Sequence, residues 1–319
     1  MKIALFDPYA GKFTTGMREW WSSHGHEVRK DTYYDPDLVK WADAVWFYTC
    51  DNNVKSAMYP DKNDPTMQGW DMHDMDLTGK KIIVNPIDIE VWLGHQNNVD
   101  WNLVTDVVFI APHIQELANR FEGLRESQAS QHVIQHGVKL EDWTYAVREP
   151  GFNIGIVSEL WESKGTDLVL QVAYKLRGID PRYNIEWVGR WSEYEWDKAY
   201  FLDFVERNKL PIKLIENVES IDSFLEDKNY LLHASKKEAW SAVTTEAMAK
   251  GIKPVLHHFY GAEDIWPRIT WNSIDEAVDK IVGDTPYDSV GYREYLTSMG
   301  YTLEQQMQRI ENEVLCRTP

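Results

Sequence analysis

The sequence predicts an α/β protein of two domains, each with a parallel β-sheet that helices cover on both faces. Three observations predict this fold class. Short apolar runs recur along the 319 residues, and they are continuous rather than alternating with polar residues, as in strands buried on both faces. Segments with helical spacing separate the runs, which is the pattern of βαβ units. The pattern lapses between Asp142 and Gly151 and then restarts, which indicates a second domain.

Five strands are predicted in the first half of the chain. They are the apolar runs 2–6, 44–48, 81–85, 106–111 and 133–135. Apolar residues at helical spacing predict one helix over 17–24, which Gly25 ends, and another over 114–121. Because parallel strands need crossover connections of this kind, residues 1–148 are predicted to form a Rossmann-like N-terminal domain.

The second half repeats the alternation of strands and helices. Its predicted strands are 152–157, 183–188, 212–215, 230–233 and 253–256, and its predicted helices are 167–176, 196–208, 221–226 and 244–250. Residues 149–300 are therefore predicted to form a second Rossmann-like domain. Thr302 and Gln305 have the spacing of a capping box. They predict a C-terminal helix within 301–319 that packs back on the N-terminal domain.

The amino-acid composition disfavours several classes of function. Acidic residues outnumber basic ones by 51 to 33, and the formal charge of −18 repels the phosphates of nucleic acids and anionic lipids. Nucleic acid is therefore not expected as a partner. Cys50 and Cys316 form neither a disulfide framework nor a zinc motif, which suits a cytoplasmic protein. No apolar run approaches the roughly 20 residues of a transmembrane helix.

One stretch of the second half combines two acids with a helix start. It reads Glu238-Ala-Trp-Ser-Ala-Val-Thr-Thr-Glu246, followed by Ala-Met-Ala-Lys-Gly251. The helix is predicted to begin near Ser241 to Thr244, where free N–H groups and the helix dipole form an anion site suited to a diphosphate. Carboxylates accept hydrogen bonds from sugar and ribose hydroxyls. The structural alternative is that both acids only complement the helix dipole.

The same stretch resembles the retaining GT-B glycosyltransferases of the large family 4 type, which share Glu-x7-Glu followed by Ala-Met-Ala-x-Gly-x-x-Pro-Val. The Lys164-Gly165 turn and the segments 131–142 and 186–190 are also similar to that family, so the resemblance covers roughly residues 131 to 270. It implies two Rossmann-like domains facing across a cleft. It further implies metal-independent transfer from a UDP- or GDP-sugar to a carbohydrate or other hydroxyl acceptor, with no separate cofactor.

The resemblance also implies roles for individual residues. Glu238 contacts hydroxyls of the transferred sugar, Glu246 binds the nucleotide ribose, and Lys164 neutralises the diphosphate. The nucleotide base lies near Gly189. The other implied donor-binding residues are Arg190, Trp240, Ser241, Val243 and Thr244, of which Val243 and Thr244 act through their backbone amides.

The chain departs from the family pattern in two places. Where the family usually has arginine five residues before the lysine, this chain has Glu159, whose carboxylate repels a leaving diphosphate. Arg190 and Lys12 are the candidate substitutes for that arginine. Where the family often has a histidine on the acceptor side, this chain has Asp88, with Glu90 two residues on. Asp88 is predicted to orient the acceptor or to stabilise positive charge on the sugar, the alternative being an acid in a strand-end turn.

The loop after the first strand contains Gly11, Lys12 and Gly16 but has neither P-loop nor dinucleotide-binding spacing. It is expected either to lie near the phosphates or the acceptor, or to be a plain turn. The acidic pairs at 35–37 and 74–76 lie in loops that do not resemble a metal site, and the histidine pairs lack helical metal-binding spacing. No catalytic metal is therefore expected.

The predicted function is glycosyl transfer by a cytoplasmic, hexosyltransferase-type enzyme, with retention implied by the resemblance. Three alternatives remain open. A non-catalytic protein of the same fold that binds sugar nucleotides is favoured by Glu159. A DNA-base glycosyltransferase is opposed by the charge of −18. A hexosamine 2-epimerase needs a carboxylate and histidine set that the sequence does not reveal.

Overall fold

The structure, a computed structural model, describes residues 1–9, 11, 13–191, 195–283 and 286–316. The chain forms two compact units: unit 1 is Met1–Gly137 with Thr302–Pro319, and unit 2 is Val138–Tyr301. Each unit holds one six-stranded sheet of parallel strand pairs, which confirms the predicted α/β class. The chain leaves unit 1 after Gly137, whereas the sequence places the domain boundary at residue 148.

Unit 1 contains a sheet with the strand order β2-β1-β3-β4-β5-β6. The strands are β1 (Lys2–Phe6), β2 (Glu27–Asp31), β3 (Ala44–Tyr48), β4 (Lys81–Asn85), β5 (Asp106–Phe109) and β6 (Ser130–Val133). Strands β1, β3, β4 and β5 are almost wholly buried, as their continuous apolar runs predict. β2 reads Glu-Val-Arg-Lys-Asp and is an edge strand with alternating exposure, so no apolar run reveals it.

Short helices connect the strands of unit 1. They are α1 (Thr15–Ser23), α2 (Pro36–Trp41), α3 (Asn52–Met58), α4 (Ile89–Trp92), α5 (Pro112–Ala118) and α6 (Glu122–Arg125). Single 3₁₀ turns lie at Pro65–Met67, Met72–Asp74 and His95–Asn98. Several helices begin at an aspartate whose side chain accepts a backbone hydrogen bond, such as Asp51 at the start of α3.

The C-terminal helix (Leu303–Arg309), which continues as a π-helix over Ile310–Leu315, belongs to unit 1. Thr302 and Gln305 form the predicted capping box. Gln306 Oε1 accepts a hydrogen bond from the Gly137 amide at 2.9 Å, and Trp20 Nε1 donates to Glu304 Oε2 at 2.9 Å. These contacts confirm that the helix packs back on the first domain.

Unit 2 contains a sheet with the strand order β12-β11-β10-β7-β8-β9. The strands are β7 (Asn153–Val157), β8 (Asn184–Val188), β9 (Ile212–Ile215), β10 (Tyr230–His233), β11 (Lys253–His257) and β12 (Thr270–Trp271). The helices are α7 (Thr166–Ile179), α8 (Glu195–Asn208), α9 (Ile221–Phe224), α10 (Ala242–Ala249), α11 (Ala262–Ile265), α12 (Ile274–Val282) and α13 (Ser289–Ser298). Short 3₁₀ turns lie at Leu140–Asp142, Glu162–Lys164 and Leu225–Asp227.

Among its described residues, unit 2 contains two separate apolar clusters. One joins Ile156 and Leu232 to residues of α7 and α12, and the other joins Leu231 to Ala247 of α10. Neighbouring strand residues point to opposite faces, so the clusters lie on the two faces of one sheet. No helix in the described part of the chain is long and apolar enough to cross a membrane.

Each sheet has a point where the chain reverses its direction of strand addition. In unit 1 the first strand, β1, lies between β2 and β3, and in unit 2 the first strand, β7, lies between β8 and β10. Loops from the carboxyl ends of these neighbouring strands turn to opposite faces of the sheet. Such points form crevices in which open parallel sheets bind ligands. The crevices between β1 and β3 and between β7 and β10 are therefore the candidate ligand-binding places of the two sheets.

A histidine in unit 1 makes stability depend on pH. His73 Nδ1 lies 2.6 Å from Asp71 Oδ1, and its Nε2 lies 2.8 Å from Asp100 Oδ2. Hydrogen bonding to Asp100 and then to Asp71 raises the pKa of His73 above 6.5. The stabilisation is therefore complete below pH 6.5 and is lost as the pH rises through the raised folded-state pKa. We expect the free energy of unfolding to fall by under about 1 kcal/mol over that window, because the imidazole is more than one-third exposed.

Urea unfolding at about pH 6 and about pH 9 measures this loss. The variant His73→Asn should remove most of the difference between the two pH values. If the free energy of unfolding fell equally in the wild type and in the variant between the two pH values, groups other than His73 would be responsible.

Candidate functional site

The candidate site lies at the switch point of unit 2, between the carboxyl ends of β7 and β10. A small depression opens there. Its walls include Ser158 and Lys164 after β7, His233 and Ser235 at the end of β10, and Val243 in the first turn of α10. A larger cavity of about 160 Å³ lies at the opposite, amino-terminal edge of the sheet. We place the site at the smaller depression, because open parallel sheets bind ligands at the carboxyl ends of their strands.

The loops that follow β7 and β10 are tied together by backbone contacts. The Lys236 amide donates to Ser163 O at 2.8 Å. Gly165 has a φ of +71°, and a Cβ atom there would stand 2.1 Å from Ala234 O. Only glycine fits this left-handed position so close to another carbonyl. The Lys164-Gly165 turn thereby holds Lys164 against the loop that carries Glu238.

Three side chains meet at one carboxylate oxygen. Lys164 Nζ lies 2.5 Å and His233 Nε2 lies 3.5 Å from Glu238 Oε1. Burial alone raises the pKa of Glu238, but the hydrogen bond from His233, followed by the charge and hydrogen bond of Lys164, outweighs burial and lowers the pKa to about 2. Glu238 is therefore an anion throughout the neutral pH range. The structure thus brings two of the three predicted catalytic residues into contact.

The start of α10 offers backbone donors beside this cluster. Ser241 is the N-cap residue, and its hydroxyl lies 2.7 Å from the Thr244 hydroxyl rather than capping the helix. The Thr244 amide donates to Ser241 O at 3.1 Å, so it is not the free donor that the sequence predicts. No hydrogen bond from the amides of Ala242 and Val243 is found within the described ranges. These two amides are therefore free donors at the helix start.

Two other predicted donor-binding residues differ in their surroundings. Glu246 is half-buried in the middle of α10. Trp240 is 6% exposed, and its ring lies 5.0 Å from that of Trp266 and 4.6 Å from that of Tyr301. Its ring is therefore part of the core, and the predicted contact of Trp240 with the donor stays a prediction. The sequence around Trp240 gives no sign of these distant partners.

Gly189 and Arg190 follow β8, on the other side of β7. A Cβ atom on Gly189 would stand 1.8 Å from Ser158 O, and the Gly189 amide donates to Ile215 O at 2.9 Å. Close packing therefore explains this glycine without a nucleotide base. Arg190 and Glu159 both have exposed side chains. Neither residue forms an ion pair in the part of unit 2 that the structure describes.

The corresponding crevice of unit 1 lies between β1 and β3, where a buried aspartate organises the loop. Asp7 accepts hydrogen bonds from the amides of Tyr9 and Gly11 at 2.8 and 2.9 Å and from the Thr14 hydroxyl at 2.5 Å. Lys30 Nζ lies 3.2 Å from the same carboxylate. Gly11 has a φ of +96°, which favours glycine at this turn. The loop is therefore a turn built around Asp7.

The structure bears differently on the other two residues predicted in this loop. Lys12 lies outside the described residues. Gly16 lies in α1, and a Cβ atom there would stand 2.8 Å from Leu303 Cδ2. The structure thus gives Gly16 a packing role beneath the C-terminal helix, and its predicted place near the phosphates or the acceptor stays a prediction.

Acidic residues gather after β3 and β4. Glu90 accepts hydrogen bonds from the amides of Ile87 at 2.6 Å and Asp88 at 3.1 Å, so it stabilises its own turn. Burial raises the pKa of Asp51 to about 6 and also raises that of Glu90. The pKa of Tyr9 is raised first by burial and then by the charges of Glu90, Asp51 and Asp88. Asp88, the third predicted catalytic residue, is thus half-buried in an acidic group around Tyr9.

Sequence reasoning missed His233 and Asp51. Both stand at the carboxyl end of an apolar strand, His233 as the last residue of β10 and Asp51 three residues after β3. A polar residue at that position is the signal that could have identified them.

No protein-family model matches the sequence, and no curated relative matches it. Among solved structures, HepE from Anabaena in complex with UDP is 15% identical, with a TM-score of 0.72 over 99% of this chain and 100% of that one. Sucrose-phosphate synthase from Thermosynechococcus elongatus is 13% identical, with a TM-score of 0.68 over 98% of both chains.

A third structure is that of TarM from S. aureus, a mutant solved with UDP, fondaparinux and α-GlcNAc-glycerol. It is 16% identical, with a TM-score of 0.63 over 87% of this chain and 58% of TarM, so this chain spans little more than half of TarM's length. Likeness at such identities shows a shared fold. The chain has the GT-B fold, as the resemblance implies.

Proposed function

We propose that this protein is a glycosyltransferase that moves a sugar from a nucleoside-diphosphate sugar to an acceptor hydroxyl. One observation carries the proposal: Lys164 and the anionic Glu238 are in contact at the switch-point depression of unit 2, beside the amides at the start of α10. A cation and free amides suit a diphosphate, and a carboxylate suits sugar hydroxyls. HepE and TarM were both solved with UDP, which supports a UDP-sugar as the donor.

The proposed chemistry follows from where charge develops. When the bond between the sugar and the diphosphate breaks, negative charge grows on the leaving phosphate and positive charge grows on the sugar. Lys164 and the amides of Ala242 and Val243 stabilise the leaving phosphate without having to reorganise. Glu238 accepts a hydrogen bond from a sugar hydroxyl, and its negative charge favours the positive sugar. Glu246 accepts a hydrogen bond from the ribose.

Metal independence and retention complete the proposal. Lys164 and the helix start supply the positive charge that divalent metal ions supply at many nucleotide sites. Retention of the anomeric configuration rests on the resemblance in Glu-x7-Glu. For the acceptor side we propose Asp88, which orients the acceptor hydroxyl.

A panel of nucleotide sugars tests the function. UDP-glucose, UDP-GlcNAc and GDP-mannose, each with and without EDTA, are added to the protein in a thermal-shift assay and then in an assay of nucleotide release. We expect one base class to stabilise the protein, by about 2.7 kcal/mol at 100 times its dissociation constant. We also expect release of the nucleoside diphosphate at a rate that EDTA leaves unchanged.

Two results contradict parts of the proposal. Stabilisation by no nucleotide sugar excludes the donor site. Release that EDTA abolishes and Mg²⁺ restores excludes metal independence while leaving glycosyl transfer in place.

A non-catalytic protein that binds sugar nucleotides is the second candidate. The exposed Glu159 favours it, because a carboxylate follows Ser158, which lines the depression. Stabilisation by a nucleotide sugar, without release of nucleotide in the presence of any hydroxyl acceptor, distinguishes this candidate from the enzyme.

A further inference from the structure

His233 is the group at the site that the proposed function does not use. The residue is 7% exposed and lines the depression. Its Nε2 lies 3.5 Å from Glu238 Oε1, and its Nδ1 has no hydrogen-bond partner among the residues that the structure describes. A buried polar nitrogen without a partner costs about 1–3 kcal/mol. Such a nitrogen beside a ligand depression points to a bond that the ligand completes.

Charge balance shows what that bond does. Without a ligand, Lys164 neutralises Glu238 at 2.5 Å. A diphosphate adds at least two negative charges to the same depression, and Lys164 is then shared between the phosphates and Glu238. Glu159 stands where the family carries a further arginine, and the side chain of Arg190 is exposed. The liganded site therefore lacks positive charge, which favours protonation of a neighbouring imidazole.

We propose that His233 takes up a proton when a nucleoside diphosphate binds, and then serves as the second cation of the site. The proton comes from solvent and joins the lone pair of Nδ1, while Nε2–H continues to donate to Glu238. The new Nδ1–H donates to an oxygen of the ligand, and the proton returns to solvent when the ligand leaves. This inference rests on the proposed function, because it assumes that the depression binds a nucleotide.

The charged and titratable groups around His233 are consistent with the uptake of one proton. Lys164 faces the pair from the loop after β7, and Glu238 faces it from the loop after β10. From β11, His257 is the neighbouring imidazole, with its Nδ1 3.1 Å from Ser235 O. Burial is the main cause that lowers the pKa of His257, and the charge of His233 lowers it further. His257 thus stays neutral near pH 7, and the proton is assigned to His233.

Calorimetric titration of the full chain with UDP tests the proposal. At about pH 7.5 the terminal phosphate of UDP is already ionised, so protons taken up belong to the protein. Titrations in two buffers of different ionisation enthalpy give the number of protons. We expect uptake of up to one proton per UDP, and an affinity that falls by up to about tenfold per unit as the pH rises above 7.5.

Two variants identify the group that takes up the proton. His233→Gln keeps an amide near the position of Nε2 but has no site for a proton, so UDP should bind more weakly and without proton uptake. The matched control, His257→Gln, should keep the uptake. Circular dichroism establishes that each variant is folded, and the wild-type measurement decides the question even if His233→Gln does not fold.

The outcomes separate the inference from the proposed function. UDP binding to the wild type without proton uptake overturns the role of His233 and leaves the proposed function standing. Uptake that survives in His233→Gln or disappears in His257→Gln also overturns it. If UDP does not bind, the same titrations use GDP, and absence of binding by either nucleotide at every pH overturns both.

Discussion

Replacing Lys164 by alanine is expected to lower the turnover number of the proposed sugar transfer by two to three orders of magnitude, about 3–4 kcal/mol in the barrier. Lys164 Nζ is the cation at the depression, and the negative charge that it faces is greatest in the transition state. Its loss therefore lowers kcat more than it raises KM for the donor. Steady-state rates of nucleotide release, measured with the donor that the panel identifies, give both constants.

Lys175→Ala is the matched control for this prediction. Lys175 lies in α7 of the same unit and pairs with Asp275 on the exposed surface. Surface pairs contribute under about 1 kcal/mol, so the control should keep its rate within about twofold. Unchanged turnover in folded Lys164→Ala would falsify the assignment of Lys164 as the cation at the leaving phosphate.

Gly189→Ala is expected to destabilise unit 2 by about 3 kcal/mol or more. The added Cβ atom would stand 1.8 Å from Ser158 O, and that obstacle is backbone at the end of the central strand β7. To relieve this clash, β7 and β8 must move apart, which also displaces Ser158 in the wall of the depression. Urea unfolding followed by tryptophan fluorescence measures the loss, because Trp187 is buried in β8.

Gly178→Ala supplies the contrast within the same unit. Gly178 lies near the end of α7, and nothing stands within 4 Å of the added Cβ atom. Alanine in an exposed helix should stabilise by about 0.5–1 kcal/mol, because glycine loses more backbone entropy on folding. The two substitutions add the same atom, so opposite signs identify packing at Gly189 as the cause. A loss below about 1 kcal/mol at Gly189 would show that the strands tolerate the added atom.

The buried strands could be read from the sequence because burial on both faces leaves a continuous apolar run. The exposed edge strand β2 could not, since alternating charges in Glu-Val-Arg-Lys-Asp resemble a loop. β12 was missed because it has only two residues, Thr270–Trp271. The residues after it, α12 and α13, also went unpredicted, although α12 buries one apolar face through Ala277, Val278 and Ile281.

The candidate site, too, was predictable from the sequence only in part. The contact between Lys164 and Glu238 was predictable in outline, because each residue sits in a loop after a strand and such loops meet at one sheet edge. The burial of Trp240 against Tyr301 and the bonded amide of Thr244 were not. Both depend on distant partners or on the exact turn geometry, which a local pattern does not encode.

The chain passes from unit 1 to unit 2 after Gly137 and returns to unit 1 at Thr302. Val138 and Tyr301 are joined by a hydrogen bond of 2.9 Å from amide to carbonyl, and a Cβ atom on Gly137 would stand 2.3 Å from Thr302 O. Unit 2 is thus one unbroken stretch of chain inserted into unit 1, with its own ends side by side. Insertions with neighbouring ends can be excised or transplanted between hosts with little distortion. The half that carries the Lys164–Glu238 pair is therefore one continuous segment, Val138–Tyr301, which suits exchange as a single piece.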